Sequence, residues 1–357
     1  MINVTKSFLP PIEDYISYVQ QIWDSNWLTN NGPLVQELEA KLKDYLGVKH
    51  LFFVSNGTIA LQIAIKALDL HGEVITTPFS YVATTSSLVW EGCQPVFVDI
   101  DRHTLCIDPD LIEAAITEKT TGILATHVYG IPCDVESIKT IADKYDLKVL
   151  YDAAHTFGGK YKGESIVSYG DISTLSFHAT KVFHTVEGGA VITENDDLAH
   201  RISYMRNFGH KGQEDFWGLG INGKNTEFHA AMGLCNLPYV PDIIAARKQV
   251  CEWYDELLKG TSLNRPIVPT GTQYNYAYYP VLFTSEINLL DTKNYLNENG
   301  IFPRRYFYPS LCNLPYINAE DKSFSNNYSK KVLCLPLYPG LNRNDIEKIS
   351  SIIRRSI

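Results

Sequence analysis

A lysine among aromatic and small residues gives the strongest chemical signal in this chain. Lys181 lies in the segment Ser-Phe-His-Ala-Thr-Lys-Val-Phe-His-Thr-Val-Glu-Gly-Gly, which runs from Ser176 to Gly189. An amine in apolar surroundings has a lowered pKa, which makes it a better former of imines and a better proton carrier. Ser176 offers a hydroxyl to a phosphate. A lone lysine is otherwise a solvated surface charge, and the aromatic neighbours of Lys181 disfavour that alternative.

A carboxylate follows a predicted strand in Tyr151-Asp152-Ala153-Ala154-His155. Ligands of open α/β sheets bind at the carboxyl ends of the strands, where Asp152 lies. A carboxylate at this place could pair with a protonated pyridine nitrogen and keep that ring an electron sink. The alternatives are a helix-capping aspartate and, for His155, a core histidine with satisfied hydrogen bonds.

A strand-to-helix turn carries Ser55-Asn56-Gly57-Thr58. Ser55 or Asn56 can cap the helix, and Gly57 lets a ligand approach the backbone. The free amides and the dipole of a helix N-terminus suit a phosphate, so Gly57 and Thr58 are candidate binders. An ordinary capped helix remains the alternative, and no Gly-Lys-Ser/Thr follows to make a nucleotide-triphosphate loop.

These candidates lie between short β-branched runs that alternate with helical patterns. Strands are predicted at His50–Val54, Val74–Thr77, Pro95–Asp99, Gly122–His127, Lys148–Asp152, Ile172–Phe177 and Ala190–Thr193. Helices are predicted at Thr58–Asp69, Asp108–Glu118 and Asp134–Lys144. Such alternation predicts a mostly parallel sheet covered by helices.

The second half of the chain differs in pattern. Residues 226–258 predict one or two helices, which Pro238 and Pro241 break at a domain hinge. Beyond Lys259 we expect an α+β arrangement with a strand at Tyr278–Phe283 and a terminal helix at Arg343–Arg355. The predicted division is a large domain over residues 1–240 and a small one over residues 241–357.

Composition excludes several classes of protein. The formal net charge of −9 disfavours a nucleic-acid partner, and no apolar run is long enough for a membrane helix. The N-terminus has no apolar region typical of a signal peptide. The chain has 7 cysteines, an odd number without CxxC spacing, so we expect reduced thiols in a cytoplasmic protein and neither disulfides nor a metal site.

Together these segments resemble the DegT/StrS-type sugar aminotransferases. The lysine segment is similar to their Schiff-base segment, and blocks along nearly the whole chain match as well. They begin at Trp27, Thr77, Gly220, Arg304 and Leu335 and read WLTNNGP, TPFSYVAT, GINGKNTE, RRYFYP and LPLYP. The resemblance implies the aspartate-aminotransferase (type I) fold, with a seven-stranded sheet flanked by helices and a smaller C-terminal domain.

The resemblance also implies a pyridoxal 5'-phosphate cofactor and a role for each matching residue. Lys181 would carry the cofactor covalently, and Asp152 would pair with its ring nitrogen. His155 would lie near the phenolic oxygen, and Tyr81 would stack on the ring. The implied phosphate binders are Gly57, Thr58, Ser176 and, from the neighbouring subunit of a homodimer, Asn222. Two departures are Ile221 in place of the usual Tyr and Lys224 in place of a common Arg.

The same resemblance implies transfer of the amino group of L-glutamate to a dTDP-linked keto-sugar for O-antigen or other surface polysaccharide. We expect dTDP-4-keto-6-deoxyglucose aminated at carbon 4, with carbon 3 of the 3-keto isomer as the alternative. Two other interpretations are a dehydratase and a cofactor-free regulatory protein. Family members that are dehydratases have His at the position that Lys181 occupies here. Candidate substrate contacts are Lys224, Arg304 and Arg305 near the pyrophosphate, and Tyr308 and His184 near the sugar.

Overall fold

The computed structural model describes residues 1–319 and 322–357 of the 357-residue chain. Eleven α-helices occur in this part of the chain. They are α1 Ile12–Ser25, α2 Pro33–Leu46, α3 Gly57–Ala67, α4 Val82–Trp90, α5 Val135–Tyr145, α6 Asp196–Met205, α7 Glu227–Asn236, α8 Val240–Leu257, α9 Glu286–Glu298, α10 Ser323–Lys331 and α11 Arg343–Ser356. None of the helices described is long and apolar enough to cross a bilayer.

The strands form one large sheet and three small ones. In chain order they are β1 Ile2–Asn3, β2 His50–Val54, β3 Glu73–Thr76, β4 Gln94–Phe97, β5 Thr120–Thr126, β6 Lys148–Asp152, β7 Lys160–Tyr161, β8 Glu164–Ser165, β9 Ile172–Ser176, β10 Gly189–Thr193, β11 Thr272–Gln273, β12 Tyr279–Leu282, β13 Ile301–Phe302 and β14 Val332–Leu335.

The large sheet has seven strands in the order β2-β10-β9-β6-β5-β3-β4. Only β10 is antiparallel to its neighbours, and the other pairs are parallel. Its central strands are buried on both faces, which explains why they read as continuous apolar runs such as Gly-Ala-Val-Ile-Thr in β10. The predicted mostly parallel sheet flanked by helices is therefore confirmed.

One prediction about helices was wrong. Residues 108–118 form two 3-10 turns, Pro109–Leu111 and Glu113–Ala115, instead of an α-helix. Ile112 is buried and Ala115 packs beside it, but the backbone becomes extended at Ile116, so the helical path ends after these two short turns. The predicted break near the prolines is present: α7 ends at Asn236, a 3-10 turn spans Leu237–Tyr239 and α8 begins at Val240. Pro238 and Pro241 lie in the first positions of that turn and of α8, where proline is favoured.

The C-terminal part packs around its own apolar core, which α8, α9, α11, β12 and β14 share. The first strand of the chain joins this part, because β1 pairs in parallel with β13 and the Leu337 N–H donates to the Val4 carbonyl. No local pattern in the sequence predicts that crossing. Helix α8 begins against the core of the large sheet with Val240 and Ile243 and ends in the C-terminal core with Tyr254. The division at residues 240 and 241 stays a prediction.

Candidate active site

A cavity of about 520 Å³ lies at the carboxyl ends of β6 and β9 and the N-terminus of α3. Loops that follow parallel strands meet at this edge, which brings together residues distant in the sequence. The cavity is lined by the predicted residues Gly57, Thr58, Tyr81, Asp152, His155, Ser176, Lys181 and Arg304. Of the eight residues predicted to bind the cofactor, Asn222 alone lies away from the cavity of its own chain.

Lys181 follows β9 in the loop that leads to β10 and points its amine into this cavity. Its Nζ lies 3.5 Å from the hydroxyl oxygen of Tyr278. Desolvation lowers the pKa of the amine, and the nearby Asp152 carboxylate offsets part of that shift. A larger share of the amine is therefore uncharged near neutral pH than in a solvated lysine, and only the uncharged form attacks a carbonyl.

Asp152 ends β6 and is only 6% exposed. One carboxylate oxygen accepts a hydrogen bond of 2.6 Å from the Thr84 hydroxyl, and the other accepts one of 3.2 Å from the Ala154 N–H. Burial raises the pKa of Asp152, whereas these two donors and the Lys181 charge lower it. The site thus holds a desolvated carboxylate whose ionised form is stabilised by two hydrogen bonds.

His155 has its tautomer set by the backbone. Its Nδ1 accepts the Tyr129 N–H at 3.2 Å, so Nε2 carries the proton of the neutral ring. Burial, together with the charges of Lys181 and His127, moves the pKa of His155 well below its ordinary value, so the ring stays neutral. His155 is therefore a hydrogen-bond donor beside Lys181, and its ring stacks on Phe307 at 5.7 Å.

The turn before α3 forms an anion cradle. The Asn56 side chain caps the helix by accepting the Ile59 N–H at 2.8 Å, and the first-turn amides of Gly57 and Thr58 have no partner within the helix. A Cβ on Gly57 would lie 2.9 Å from the Ser176 Cβ and would fill the gap between the two segments. Glycine keeps that space open for a group the size of a phosphate.

This donor set fits pyridoxal phosphate on structural grounds alone. It combines an amine with a lowered pKa, a buried carboxylate, a neutral imidazole donor and an anion cradle around one cavity. These groups correspond to the aldehyde, ring nitrogen, phenolic oxygen and phosphate of the cofactor. Tyr81, 57% exposed at the rim, is free to cover a ring.

Five of the predicted residues lie outside the cavity. Asn222 is exposed, and Lys224 borders a separate small cleft with its Nζ 4.5 Å from the centre of the Phe208 ring. The Arg305 guanidinium pairs with Glu286 at 2.6 Å. The fourth residue, Tyr308, lies under that guanidinium, 3.5 Å from the Arg305 Cζ to the ring centre.

His184 is a fifth such residue, and its position does not support a sugar contact. The ring is 2% exposed, and Nε2 lies 2.7 Å from the Phe8 carbonyl oxygen. The Asn236 amide donates to the His184 carbonyl at 2.9 Å. The histidine thus ties the loop after Lys181 to the N-terminal segment and to α7.

Several cavity residues were missed by the sequence reasoning. Ser80 lies within the TPFSYVAT block but carried no recognised role. Thr84 ends that block and was missed as the hydroxyl donor to Asp152. Thr5 and Tyr278 also border the cavity, and nothing in their local sequence marks them. Thr5 reaches the cavity because β1 crosses to the C-terminal part, and Tyr278 reaches it because the segment before β12 passes beside Lys181.

The fold and this site define a pyridoxal-phosphate-dependent aminotransferase of the aspartate-aminotransferase fold. A family model described as the DegT/DnrJ/EryC1/StrS aminotransferase family matches residues 12–354, and the chain belongs to that family. The predicted family, enzyme class and cofactor are therefore confirmed.

Three similar proteins span nearly the whole chain. A dTDP-4-amino-4,6-dideoxy-D-glucose transaminase of Shigella dysenteriae is 44% identical over 99% of this chain and 98% of that protein. An Escherichia coli protein of the same name is 41% identical over 99% and 98%. Among solved structures, DesI in the presence of its TDP-sugar product is 32% identical with a TM-score of 0.94, covering 99% of this chain and 92% of that one.

Proposed function

We propose that this enzyme transfers the amino group of L-glutamate to carbon 4 of dTDP-4-keto-6-deoxyglucose, giving dTDP-4-amino-4,6-dideoxyglucose. The observation that carries the reaction is the buried Lys181 amine placed beside Asp152 and His155 in one cavity. The substrate rests on the relatives: the two at 44% and 41% identity are named for this 4-amino sugar. A UDP-linked 3-aminotransferase of Acidithiobacillus ferrooxidans is 30% identical, so amination at carbon 3 is the alternative.

Pyridoxal phosphate supplies, when bound, a covalent link to the amino group and an electron sink that makes the adjacent carbon acidic. Lys181 Nζ would hold the cofactor. Once displaced by the amino donor, it would move a proton between the carbon that bears the amino group and the former aldehyde carbon of the cofactor. Asp152 would hold the proton of the ring nitrogen in place. His155 would donate its Nε2–H to the phenolic oxygen, and the Gly57 and Thr58 amides with Ser176 would bind the phosphate.

The substrate would be held by cations at the rim. Arg304 is the one predicted arginine among the residues that line the cavity, and its Cζ lies 5.7 Å from the Tyr306 ring centre. A guanidinium there suits a carboxylate or a pyrophosphate. Lys224 and Asn222 would reach the cavity of a second copy, which makes the homodimer the active unit in this proposal.

Exposed apolar side chains on the loop before Asn222 support the homodimer. Phe216 is 57% exposed, Trp217 52% and Leu219 72%. Large apolar residues clustered on one surface loop are typical of a protein interface. Burial of this loop against a second copy would fix the position of Asn222.

The proposed setting is the bacterial cytoplasm, with the product used for O-antigen or related surface polysaccharide. Cys93, Cys106 and Cys133 are buried free thiols in the loops that connect the strands and helices of the large sheet. Unoxidised thiols of this kind are typical of a reducing compartment.

Product analysis by NMR tests the proposal. Purified enzyme would be incubated with pyridoxal phosphate, L-glutamate and either the 4-keto or the 3-keto dTDP-sugar, with Lys181→Ala as the control. An amine at carbon 4 that depends on Lys181 is expected. An amine only at carbon 3 would overturn the substrate but keep the roles of the residues. Loss of a hydroxyl without gain of an amine would indicate a dehydratase, and no reaction with any keto-sugar would indicate a regulatory protein.

A further inference from the structure

Three buried hydroxyls form a chain that ends on the Asp152 carboxylate. The Thr126 hydroxyl donates to the Ser80 oxygen at 3.1 Å, the Ser80 and Thr84 oxygens are 2.7 Å apart, and Thr84 donates to Asp152 at 2.6 Å. Each of the three hydroxyl residues is at most 1% exposed. The chain spans the end of β5, the loop after β3 and helix α4, so its assembly depends on the fold.

The direction of these hydrogen bonds follows from the carboxylate. An ionised carboxylate only accepts, so the single hydroxyl proton of Thr84 points to Asp152. The Thr84 oxygen must then accept from Ser80, and the Ser80 oxygen must accept from Thr126. In this direction every hydroxyl proton of the chain is used.

Protonation of Asp152 would disfavour this arrangement in one of two ways. A proton on Oδ1 would leave Thr84 donating to a neutral acid, which is a weaker hydrogen bond than one to a carboxylate. If a proton on Oδ2 were donated to Thr84, the chain would reverse and the Thr126 hydroxyl would need another acceptor. Among the described residues, Ser80 is the only hydrogen-bond partner of the Thr126 hydroxyl, so no other acceptor is in place. A buried donor without a partner costs free energy, so the hydroxyl chain favours the ionised form of Asp152.

Other groups around Asp152 act on its ionisation as well. Burial raises the pKa of the carboxyl group, and the Lys181 amine and the Ala154 N–H lower it. The Tyr278 phenol faces the same carboxylate, and burial raises the pKa of that phenol, so it stays neutral. Lys181 would be used for the covalent link to the cofactor, and the Thr84 hydroxyl is the side-chain hydrogen-bond donor that the described residues offer to Asp152.

We propose that Thr84, supported by Ser80 and Thr126, is a positioning residue that keeps the Asp152 carboxylate ionised, so that a proton shared with the ring nitrogen of the cofactor stays on the nitrogen. The inference rests on the proposed pairing of Asp152 with that nitrogen. Without the Thr84 donor, Asp152 would compete better for the shared proton, and the ring would lose its positive charge.

Cofactor binding tests this without any turnover. The affinity of the apoenzyme would be measured for pyridoxal phosphate and for its 1-deaza analogue, in which a C–H replaces the ring nitrogen. The ratio of the two affinities isolates the contact to the nitrogen. We expect Asp152→Asn to lower the preference for pyridoxal phosphate strongly and Thr84→Val to lower it about tenfold or more, because the lost bond is made to a charged group.

Matched variants separate this role from a structural one. Thr85 is the next residue of α4, is fully buried, and its hydroxyl has no hydrogen-bond partner in the described residues. Thr85→Val should therefore leave the ratio unchanged, and Thr84→Ser should restore it. If Thr84→Val does not fold, Ser80→Ala replaces it and should lower the ratio about threefold, since it acts one bond further away.

The outcomes distinguish failure of the proposed role of the hydroxyl chain from failure of the proposed pairing of Asp152 with the ring nitrogen. A wild-type ratio in Thr84→Val or Ser80→Ala, with a lowered ratio in Asp152→Asn, overturns the role of the hydroxyl chain and keeps that of Asp152. A wild-type ratio in Asp152→Asn overturns the proposed pairing itself. An equal loss in Thr84→Val and Thr85→Val shows that packing of α4, and not the hydroxyl, sets the affinity.

Discussion

Replacing Gly57 by alanine would close the anion cradle at the start of α3. The added Cβ would lie 2.9 Å from the Ser176 Cβ and 3.3 Å from its Oγ, against about 3.5–4.0 Å for an ordinary contact between carbons. The Ser176 segment must therefore move by several tenths of an ångström. Loss of one hydrogen bond to a phosphate corresponds to about 1.5–3 kcal/mol, so we expect the dissociation constant for pyridoxal phosphate to rise about tenfold to a hundredfold.

Stability should respond differently from affinity. Alanine favours a helix over glycine by up to about 1 kcal/mol, which offsets part of an overpacking penalty of about 1–3 kcal/mol. The net change in the free energy of unfolding of the apoenzyme should therefore be small. The loss would lie mainly in cofactor binding, measured by absorbance titration of apoenzyme.

Gly233→Ala supplies the matched control. Its Cβ would lie 2.8 Å from a Thr185 methyl and 2.9 Å from a Leu38 methyl, an equal overlap in α7 away from the cavity. That variant should lose stability and keep its affinity for the cofactor. Equal affinities of Gly57→Ala and the wild type would refute the assignment of this turn as the phosphate site.

Three further predictions follow from charges in the structure. The rate at which Lys181 reacts with pyridoxal phosphate should rise with pH and level off at a pH below 10.5, the ordinary pKa of lysine, because burial lowers the pKa of this amine. Stopped-flow absorbance measures that rate. Glu227 is buried and accepts hydrogen bonds from the Leu34 and Val35 N–H groups, at 2.7 and 3.1 Å, at the start of α2. Glu227→Gln should therefore lower the free energy of unfolding, measured by urea denaturation, by about 2–4 kcal/mol. The control is Glu194→Gln at an exposed position, which should change that free energy by less than about 0.5 kcal/mol. Arg304→Ala should raise the KM for the nucleotide sugar about tenfold, whereas Arg305→Ala should not, because Arg305 is already paired.

Local patterns predicted the large sheet well. Its central strands are buried on both faces and therefore read as apolar runs between turn residues. Strands β2 and β6 match their predicted bounds. Helix α4 escaped notice because Val-Ala-Thr-Thr-Ser-Ser-Leu-Val-Trp has low helix propensity. It forms because Thr84, Thr85, Ser87 and Leu88 are buried against the sheet, which no local pattern reveals.

The sequence predicted those site residues that lie in short contiguous motifs. Gly57, Asp152, His155, Ser176 and Lys181 each lie beside a strand of the large sheet, so their meeting at one edge follows from the parallel topology. Contacts that depend on distant segments were not predictable. The donors to Asp152 and to His155 are set by how α4 and the loop after β5 pack, and the phenol beside Lys181 comes from the C-terminal part of the chain.

Transfer of labelled nitrogen tests the central claim most directly. The enzyme would be supplied with L-glutamate carrying ¹⁵N at its amino group and with dTDP-4-keto-6-deoxyglucose, and the product would be examined by NMR for ¹⁵N bonded to the sugar. The account predicts ¹⁵N on carbon 4 in an amount equal to the 2-oxoglutarate formed, and none with Lys181→Ala. An unlabelled sugar, or label that appears equally with Lys181→Ala, would contradict it.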